Sequence, residues 1–194
     1  EVTVPLELWR ALEAFTTEFM DHHKWLFDLR VKEGRIRECH GDLHLGNICI
    51  FEGDIELFDR IEFNEDFKNI DVMYDLAFVL MDLRFRNRAD LATKLLNTYT
   101  EATGDFAGIV MLPFYESVRA LIRGEVALLL HADESADAAT RDSGREQALR
   151  YFEHALTYAK RGRGQLVVVC GVSGTGKSTV GRALAAQGEF VHLR

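Results

Sequence analysis

Two short strand-like runs enclose a polar, histidine-rich loop, and this arrangement constrains the fold more than any other feature of the chain. Residues 36–39 and 48–51 have the apolar content of strands. A Glu-Gly-Asp turn then leads into a third run, 55–58. The order of strand, loop, strand, turn and strand predicts that residues 40–47, HGDLHLGN, form a loop between strands, with Asp59 directly after the last strand.

The helical period governs most of the remaining sequence up to residue 160. Apolar residues recur at intervals of three and four from Leu6 to about Arg30, and again from Asn69 onward. Pro113 is expected to start or kink a helix. Residues 132–144 are polar and alanine-rich, which predicts a surface loop. Further helices are predicted near 89–103, 106–131 and 143–160.

The loop contains the two kinds of group that phosphoryl transfer requires. A carboxylate orients or deprotonates the attacking hydroxyl, and oxygen ligands hold Mg²⁺ against the phosphates. Asp42 and Asn47 have the separation of the Asp and Asn in the kinase pattern H-R-D-L-x-x-x-N. Asp59 stands where a second metal carboxylate is expected. We therefore predict that Asp42 is the catalytic base and that Asn47 and Asp59 bind magnesium.

The sequence of the loop resembles that of the aminoglycoside phosphotransferase and choline kinase group. It differs from that of protein kinases, which have Arg at the position of Gly41. Residues 71–77, DVMYDLA, are similar to the start of the next helix in that group. The resemblance implies the helical C-terminal lobe of a kinase-like fold, ATP and Mg²⁺ as cofactors, and a small-molecule hydroxyl as substrate. It also implies that His40 and Asp75 brace the catalytic loop.

Some residues depart from the pattern of that group. Arg60, Ile61 and Glu62 follow Asp59 where an aromatic and then a small or acidic residue are common, and Leu45 stands where proline is frequent. Glu62 is either a further metal or substrate group or a surface carboxylate. The run looks like that of uncharacterised bacterial proteins in which such a domain is joined to a P-loop domain. The alternative is therefore a catalytically inactive kinase-like binding or regulatory module attached to a P-loop ATPase or kinase.

Soft metal ligands offer a different interpretation of the same loop. Cys39, His40, His44 and Cys49 could ligate zinc, but strand alternation points Cys39 and His40 to opposite faces and no paired C-x-x-C spacing is present. Phosphotransfer is the favoured interpretation. The cysteines, with Cys170 as the third, lie in apolar runs, which predicts buried thiols in a reducing cytosol rather than disulfides.

A second phosphate-binding pattern lies near the end of the chain. Residues 171–178, GVSGTGKS, satisfy G-x-x-x-x-G-K-[ST], with an apolar strand predicted at 166–170 and a helix at 177–186. Glycines allow backbone N–H groups to curl around phosphates at the helix N-terminus. Lys177 would neutralise the β- and γ-phosphates, and the Ser178 hydroxyl would join the Mg²⁺ shell. The predicted nucleotide-binding residues are Gly171, Gly174, Thr175, Gly176, Lys177, Ser178 and Thr179.

These patterns together predict an α+β chain in three parts. Residues 1–160 form the kinase-like C-terminal lobe without its N-terminal lobe, 161–164 a linker, and 165–194 the first strand, loop, helix and strand of an α/β P-loop domain. The segment 190–194 resembles the second strand of P-loop kinases fused to such phosphotransferases. Because the chain opens with Glu1 and ends within an apolar segment, we expect both ends to be cuts through a longer protein.

Composition limits the partners and the compartment. The 23 basic and 31 acidic residues give a net charge of −8, and no Lys/Arg block stands out. A nucleic-acid or anionic-membrane partner is therefore not expected. No apolar stretch reaches membrane-spanning length, and the start lacks a signal-peptide pattern, so we expect a cytoplasmic protein. The identity of the acceptor is left open.

Overall fold

The computed structural model describes residues 4–160 and 164–193, and this part is mostly helical with two small sheets. The strands are β1 (Ile36–Glu38), β2 (Ile48–Phe51), β3 (Asp54–Leu57) and β4 (Asn69–Asp71). The helices are α1 (Leu6–Lys32), α2 (Glu65–Lys68), α3 (Val72–Phe85), α4 (Ala89–Thr103), α5 (Leu112–Ala132), α6 (Ala138–Ala159) and α7 (Lys177–Gly188). Short 3-10 turns cover Leu45–Asn47 and Ala107–Met111.

Strands β2 and β3 form the predicted hairpin. They pair antiparallel, with Cys49 opposite Glu56. Glu52 and Gly53 at the turn both have positive φ, of 51° and 93°. This is the backbone twist that a tight two-residue hairpin requires, and it favours glycine at the second position. The hairpin therefore returns the chain so that Asp59 follows β3.

The pairing of β1 with β4 was not predicted, because residues from Asn69 onward were assigned to a helix. Ile36 lies opposite Asp71 in this antiparallel pair. Helix α3 begins only at Val72, after Asp71 accepts a hydrogen bond from the Met73 N–H at 2.8 Å as its N-cap. A three-residue strand whose partner lies far along the chain leaves no local periodicity to detect.

Helix α3 is the central element of the core. Its side chains are buried along most of its length, Met73, Leu80 and Met81 completely. It packs against α4 and α5, and α5 packs along α6. Because α3 follows directly after β4, the core fixes the position of the sheet that precedes the catalytic loop.

Two further predicted helix starts were wrong, while the bounds predicted for α4 are confirmed. Helix α5 begins at Leu112 rather than 106, since a 3-10 turn precedes it, and Pro113 lies in its first turn as predicted. Helix α6 begins at Ala138 rather than 143. The Asp137 carboxylate caps it by accepting the Thr140 N–H at 2.7 Å, so part of the predicted surface loop is helical.

A buried ion network joins α1 to the start of α3. Arg30 is 1% exposed and donates to both oxygens of Asp71 and, at 2.9 Å, to both oxygens of Asp105. The Tyr115 hydroxyl donates to Asp71 at 3.0 Å. Burial raises the pKa of Asp105, but the hydrogen bonds and charge of Arg30 outweigh it, so the pKa lies below its ordinary value. A Cβ at Gly108 would lie 2.9 Å from an Arg30 nitrogen, so this site needs glycine.

The predicted strand at 166–170 is not formed. Residues 164–170 have no regular secondary structure and are exposed. A strand is stable when a neighbour satisfies its backbone groups, and the described residues place no strand beside it. The predicted strand 190–194 is likewise irregular over 190–193. Residue 194 and most of the predicted linker, 161–163, lie outside the described residues.

Segment 189–192 packs against the helical lobe. The Asn97 side chain of α4 donates to the Phe190 carbonyl at 3.0 Å and accepts the His192 N–H at 2.7 Å. Glu189 accepts a hydrogen bond from Arg84 of α3 at 3.3 Å. Both hydrogen-bonding groups of Asn97 are therefore used to hold the chain that follows α7.

The three cysteines are free thiols, but the predicted burial was wrong for two of them. Cys39 is half-buried, whereas Cys49 and Cys170 are exposed. Cys49 lies on the hairpin and Cys170 in segment 164–170, and neither surface is covered by the residues described. Within 4–160 and 164–193, no helix has the length and apolarity needed to cross a membrane.

Candidate active site

The loop between β1 and β2 makes its first turn at Gly41. Gly41 has a φ of 86°, and a Cβ there would lie 2.8 Å from the Phe67 carbonyl oxygen and 3.0 Å from the Ile61 side chain. Both the backbone conformation and the lack of space require glycine. The loop can therefore pass close to the segment that carries Asp59.

The Asp75 carboxylate holds the start of this loop. Its two oxygens accept hydrogen bonds from the N–H groups of His40 and Gly41, both at 3.0 Å. Asp75 is 7% exposed and lies in the first turn of α3. Two successive peptide groups are thus tied to the central, buried helix of the core, which is the geometry expected of the predicted brace.

His40 connects the loop to the residues around Asp59. Its Nε2 lies 2.9 Å from the Phe58 carbonyl oxygen, and its own carbonyl accepts the Ile61 N–H at 3.0 Å. The two predicted carboxylate positions, Asp42 and Asp59, are therefore carried by segments that bond to each other through His40.

Asn47 and Asp42 are direct neighbours. The Asn47 amide nitrogen donates to the Asp42 carbonyl at 3.0 Å and lies 3.3 Å from carboxylate Oδ2. Asn47 is 6% exposed, so its amide orientation is constrained. With the nitrogen used by Asp42, the amide oxygen is the group left to ligate a cation.

His44 lowers the pKa of Asp42. Its Nδ1 accepts the Gly46 N–H at 3.0 Å, which places the ring proton on Nε2, 3.5 Å from Asp42 Oδ2. Hydrogen bonding to His44 holds the pKa of the Asp42 carboxyl below its ordinary value, against burial, which raises it. Asp42 is therefore an ionised carboxylate at neutral pH, as a proton acceptor must be.

Asp42 and Asp59 line one cleft of about 530 Å³. Asp59 is exposed and has a φ of 60°, in the left-handed region that non-glycine residues rarely adopt. The other lining residues are Arg60, Ile61, Glu62 and Phe63. The residues after Asp59 that differ from the pattern of the resembling group, including Glu62, therefore line the same cleft as the predicted base Asp42.

The donor set suits magnesium better than zinc. Across the ranges that the structure covers, no three His, Cys, Asp or Glu side chains converge as metal ligands. Mg²⁺ binds through one or two carboxylates together with substrate phosphates and water. Asp59 in the cleft and the amide oxygen of Asn47, which neighbours Asp42, provide such a partial set.

Sequence reasoning missed Asp82, a second acid of α3 that holds the loop. Its Oδ2 accepts the Leu45 N–H at 3.0 Å, and the residue is 2% exposed. A single acid within the apolar run 76–83 was the available signal, since a buried carboxylate needs a partner. Proline, which is frequent at this position in the resembling group, has no N–H to donate. Leu45 therefore makes a bond to Asp82 that proline could not make.

The predicted phosphate loop has a curled backbone ahead of α7. Gly171, Gly174 and Gly176 have positive φ values of 154°, 82° and 80°. The Lys177 amine donates to the Val172 carbonyl at 2.6 Å. The Thr175 hydroxyl donates to the same oxygen at 2.8 Å, and Ser178 and Thr179 lie exposed in the first turn of α7. The glycines and polar side chains of the motif therefore surround one exposed helix N-terminus.

Comparison with known proteins gives one family match. The model of a phosphotransferase enzyme family matches residues 3–112, which include every predicted residue of the first site. The uncharacterized proteins Mb2027c of Mycobacterium bovis and Rv2004c of Mycobacterium tuberculosis are each 33% identical over 91% of this chain. The chain spans 34% of the length of each. No solved structure matches.

Proposed function

The chain belongs to the phosphotransferase enzyme family, and from this premise we propose that it contains the catalytic half of an ATP-dependent kinase acting on a small-molecule hydroxyl. In this proposal Asp42 is the base, and Asn47 and Asp59 hold magnesium. His40 and Asp75 position the loop. The remaining residues of the nucleotide clamp belong to parts of the protein beyond this chain.

The contact between Asn47 and Asp42 carries this proposal. The base acts on the acceptor hydroxyl and the cation on the phosphate that this hydroxyl attacks, so the two groups must be neighbours. The 3.0 Å bond from the Asn47 amide joins Asn47 to Asp42, and Asp59 lines the same cleft as Asp42. These contacts support the proposal.

The chemistry follows from these positions. Asp42 accepts or orients the proton of the acceptor hydroxyl while that oxygen forms a bond to the γ-phosphorus and the bond to the ADP oxygen breaks. Magnesium, when bound, would neutralise charge on the phosphate oxygens. Asn47 and Asp59 would provide protein oxygens for it, and Asp75 would keep the loop from shifting during transfer.

We also propose that residues 165–194 belong to a P-loop nucleotide-binding domain. The support is the curled glycine loop ahead of α7, with Lys177 at its base and Ser178 as a ligand for the magnesium ion. ATP and Mg²⁺ would thus be bound in two places along the full-length protein. Each site is proposed to act with residues that this chain does not include.

The test uses the full-length protein carrying Lys177→Ala, so that turnover reports the first site alone. We expect magnesium-dependent ATP consumption with a hydroxyl acceptor, and a loss of about 100-fold or more in kcat for Asp42→Ala. Asp59→Ala should lose activity and weaken the dependence on magnesium. Asp90→Ala is the matched control, because this acid is exposed on α4 and pairs only with Arg88 among the residues described.

A different outcome would favour the catalytically inactive module. If ATP consumption survives Asp42→Ala and Asp59→Ala in folded proteins but is abolished by Lys177→Ala, the P-loop domain does the nucleotide chemistry. The exposed run after Asp59, which departs from the pattern of the resembling kinases, is the observation behind this second function.

A further inference from the structure

The guanidinium of Arg119 is buried directly behind the start of the catalytic loop. Arg119 lies on α5 and is 5% exposed. Its central carbon lies 3.7 Å from the centroid of the Tyr74 ring and 4.6 Å from that of Phe78. Its Nε donates to the Tyr74 carbonyl at 3.2 Å. The side chain is therefore held in one orientation by α3.

The outer nitrogen Nη2 of Arg119 faces the Asp75 carboxylate. It lies 3.9 Å from Asp75 Oδ1 and makes no hydrogen bond to any residue the structure describes. The same Oδ1 accepts the Gly41 N–H. Arg119 and the catalytic loop thus meet on a single carboxylate oxygen.

Burying the charge of Arg119 destabilises the folded protein unless another interaction compensates for it. Burial lowers the pKa of Arg119, while Tyr74 and the carboxylates of Asp75 and Asp42 act in the other direction. A buried charge with an unused donor normally destabilises a protein. The structure offers Asp75 as the compensating partner, because that carboxylate is itself buried and accepts hydrogen bonds from two backbone amides.

We propose that Arg119 is a positioning residue for the catalytic loop, whose charge orients the Asp75 carboxylate toward the peptide groups of His40 and Gly41. Its effect on catalysis rests on the function proposed above. Arg119 touches no reacting group. Its structural link to Asp42 runs through Asp75 and the two peptide groups, and its charge also lowers the pKa of Asp42 through space.

Hydrogen exchange tests this role by a measurement that does not depend on enzyme activity. In full-length Arg119→Met, we expect the amides of His40 and Gly41 to exchange on the order of tenfold faster. The Met73 amide, which bonds to Asp71, should keep its rate. Arg150→Met is the matched control variant, because Arg150 also lies near an aromatic ring, 4.9 Å from that of Phe85, but is exposed on α6.

Kinetics test the consequence. Arg119→Met should lower kcat by about 10- to 100-fold while leaving the KM for ATP unchanged, because misplacement of the base slows transfer without removing a nucleotide contact. Arg119→Lys, which keeps the charge, should recover most of the lost rate. A purely structural Arg119 would instead give the same loss for Lys and Met.

Rescue covers the case in which Arg119→Met fails to fold: adding Asp75→Asn removes the buried carboxylate left without its cation, so the double variant should fold. Where all four proteins fold, we expect a coupling of at least about tenfold in the unfolding equilibrium constant. Additive effects, or unchanged exchange at His40 and Gly41 in a folded Arg119→Met protein, would overturn the proposal. An inactive wild-type protein would overturn the proposed function, while exchange and coupling still decide the role of Arg119.

Discussion

The carboxylate of Asp82 on α3 accepts a hydrogen bond from the backbone N–H of Leu45, with 3.0 Å between the two atoms. The acid is buried, and its other oxygen lies 3.3 Å from Arg86. The predicted catalytic loop is therefore bound to α3 at two points. Asp75 holds its start at His40 and Gly41, and Asp82 holds it again at Leu45.

Leu45→Pro should destabilise the protein, because it removes the N–H and leaves a buried Asp82 oxygen without that partner. We expect a loss of about 1 to 3 kcal/mol in the free energy of unfolding, measured by urea denaturation. Leu45→Met keeps the N–H and most of the side-chain volume, so it should cost less than about 1.5 kcal/mol. Equal losses in the two variants would contradict the role given to this bond.

Arg30→Met should be far more damaging than the loss of a surface arginine. It leaves the carboxylates of Asp71 and Asp105 buried without their cation, which typically costs about 3 to 5 kcal/mol. Arg88→Met is the control, since its pair with Asp90 is exposed and should contribute no measurable shift in the unfolding midpoint. Chemical denaturation of both variants provides the comparison.

The pH dependence of catalysis should change when His44 is replaced. Hydrogen bonding to His44 lowers the pKa of Asp42, so Asp42 stays ionised to lower pH than an ordinary aspartate. His44→Asn keeps an acceptor for the Gly46 N–H but removes the Nε2 donor, so the pKa of Asp42 rises. The acidic limb of the kcat/KM profile should then move to higher pH in the full-length enzyme.

His22→Gln serves as the control for that experiment. His22 is exposed on α1 and its ring bonds only to the Glu18 carbonyl among the contacts described. Its profile should match that of the wild type. If the acidic limb of His44→Asn lies at the same pH as that of the wild type, His44 does not lower the pKa of Asp42.

Asn97→Ala should release the chain that follows α7. It removes the bonds to the Phe190 carbonyl and the His192 N–H. We expect faster hydrogen exchange at the His192 amide and faster proteolysis between residues 189 and 193. Asn69→Ala, an exposed asparagine bonded to Glu65, should leave both readouts unchanged. If Asn97→Ala behaved like this control, segment 189–192 would be held by its other contacts, such as the bond from Arg84 to Glu189.

Features coded by neighbouring residues could be predicted from the sequence. The β2–β3 hairpin and the bounds of α4 depend on a local turn and a local period, and the structure confirms them. The predicted phosphotransferase family is confirmed by the match over residues 3–112. Asp42 and Asn47 were identified by their spacing and Asp75 by the family resemblance, and their roles remain predictions.

Features that depend on distant partners could not be predicted. Strand β4 exists because it pairs with β1, which lies more than thirty residues earlier in the chain. Asp82 and Arg119 look like ordinary helix positions until the fold places them against the loop. The strand expected at 166–170 failed for the same reason, since it needs neighbours that the described residues do not contain.

Helix α3 determines how long the catalytic loop can be. Asp75 and Asp82 are seven residues apart, about 10 Å along the helix axis, and hold the loop at Gly41 and Leu45. One residue inserted between the two acids would rotate one of them by about 100° relative to the other. Relatives that keep both attachments are therefore expected to differ by substitutions in α3 and in the loop. We expect no insertion or deletion between the two attachment points in either segment.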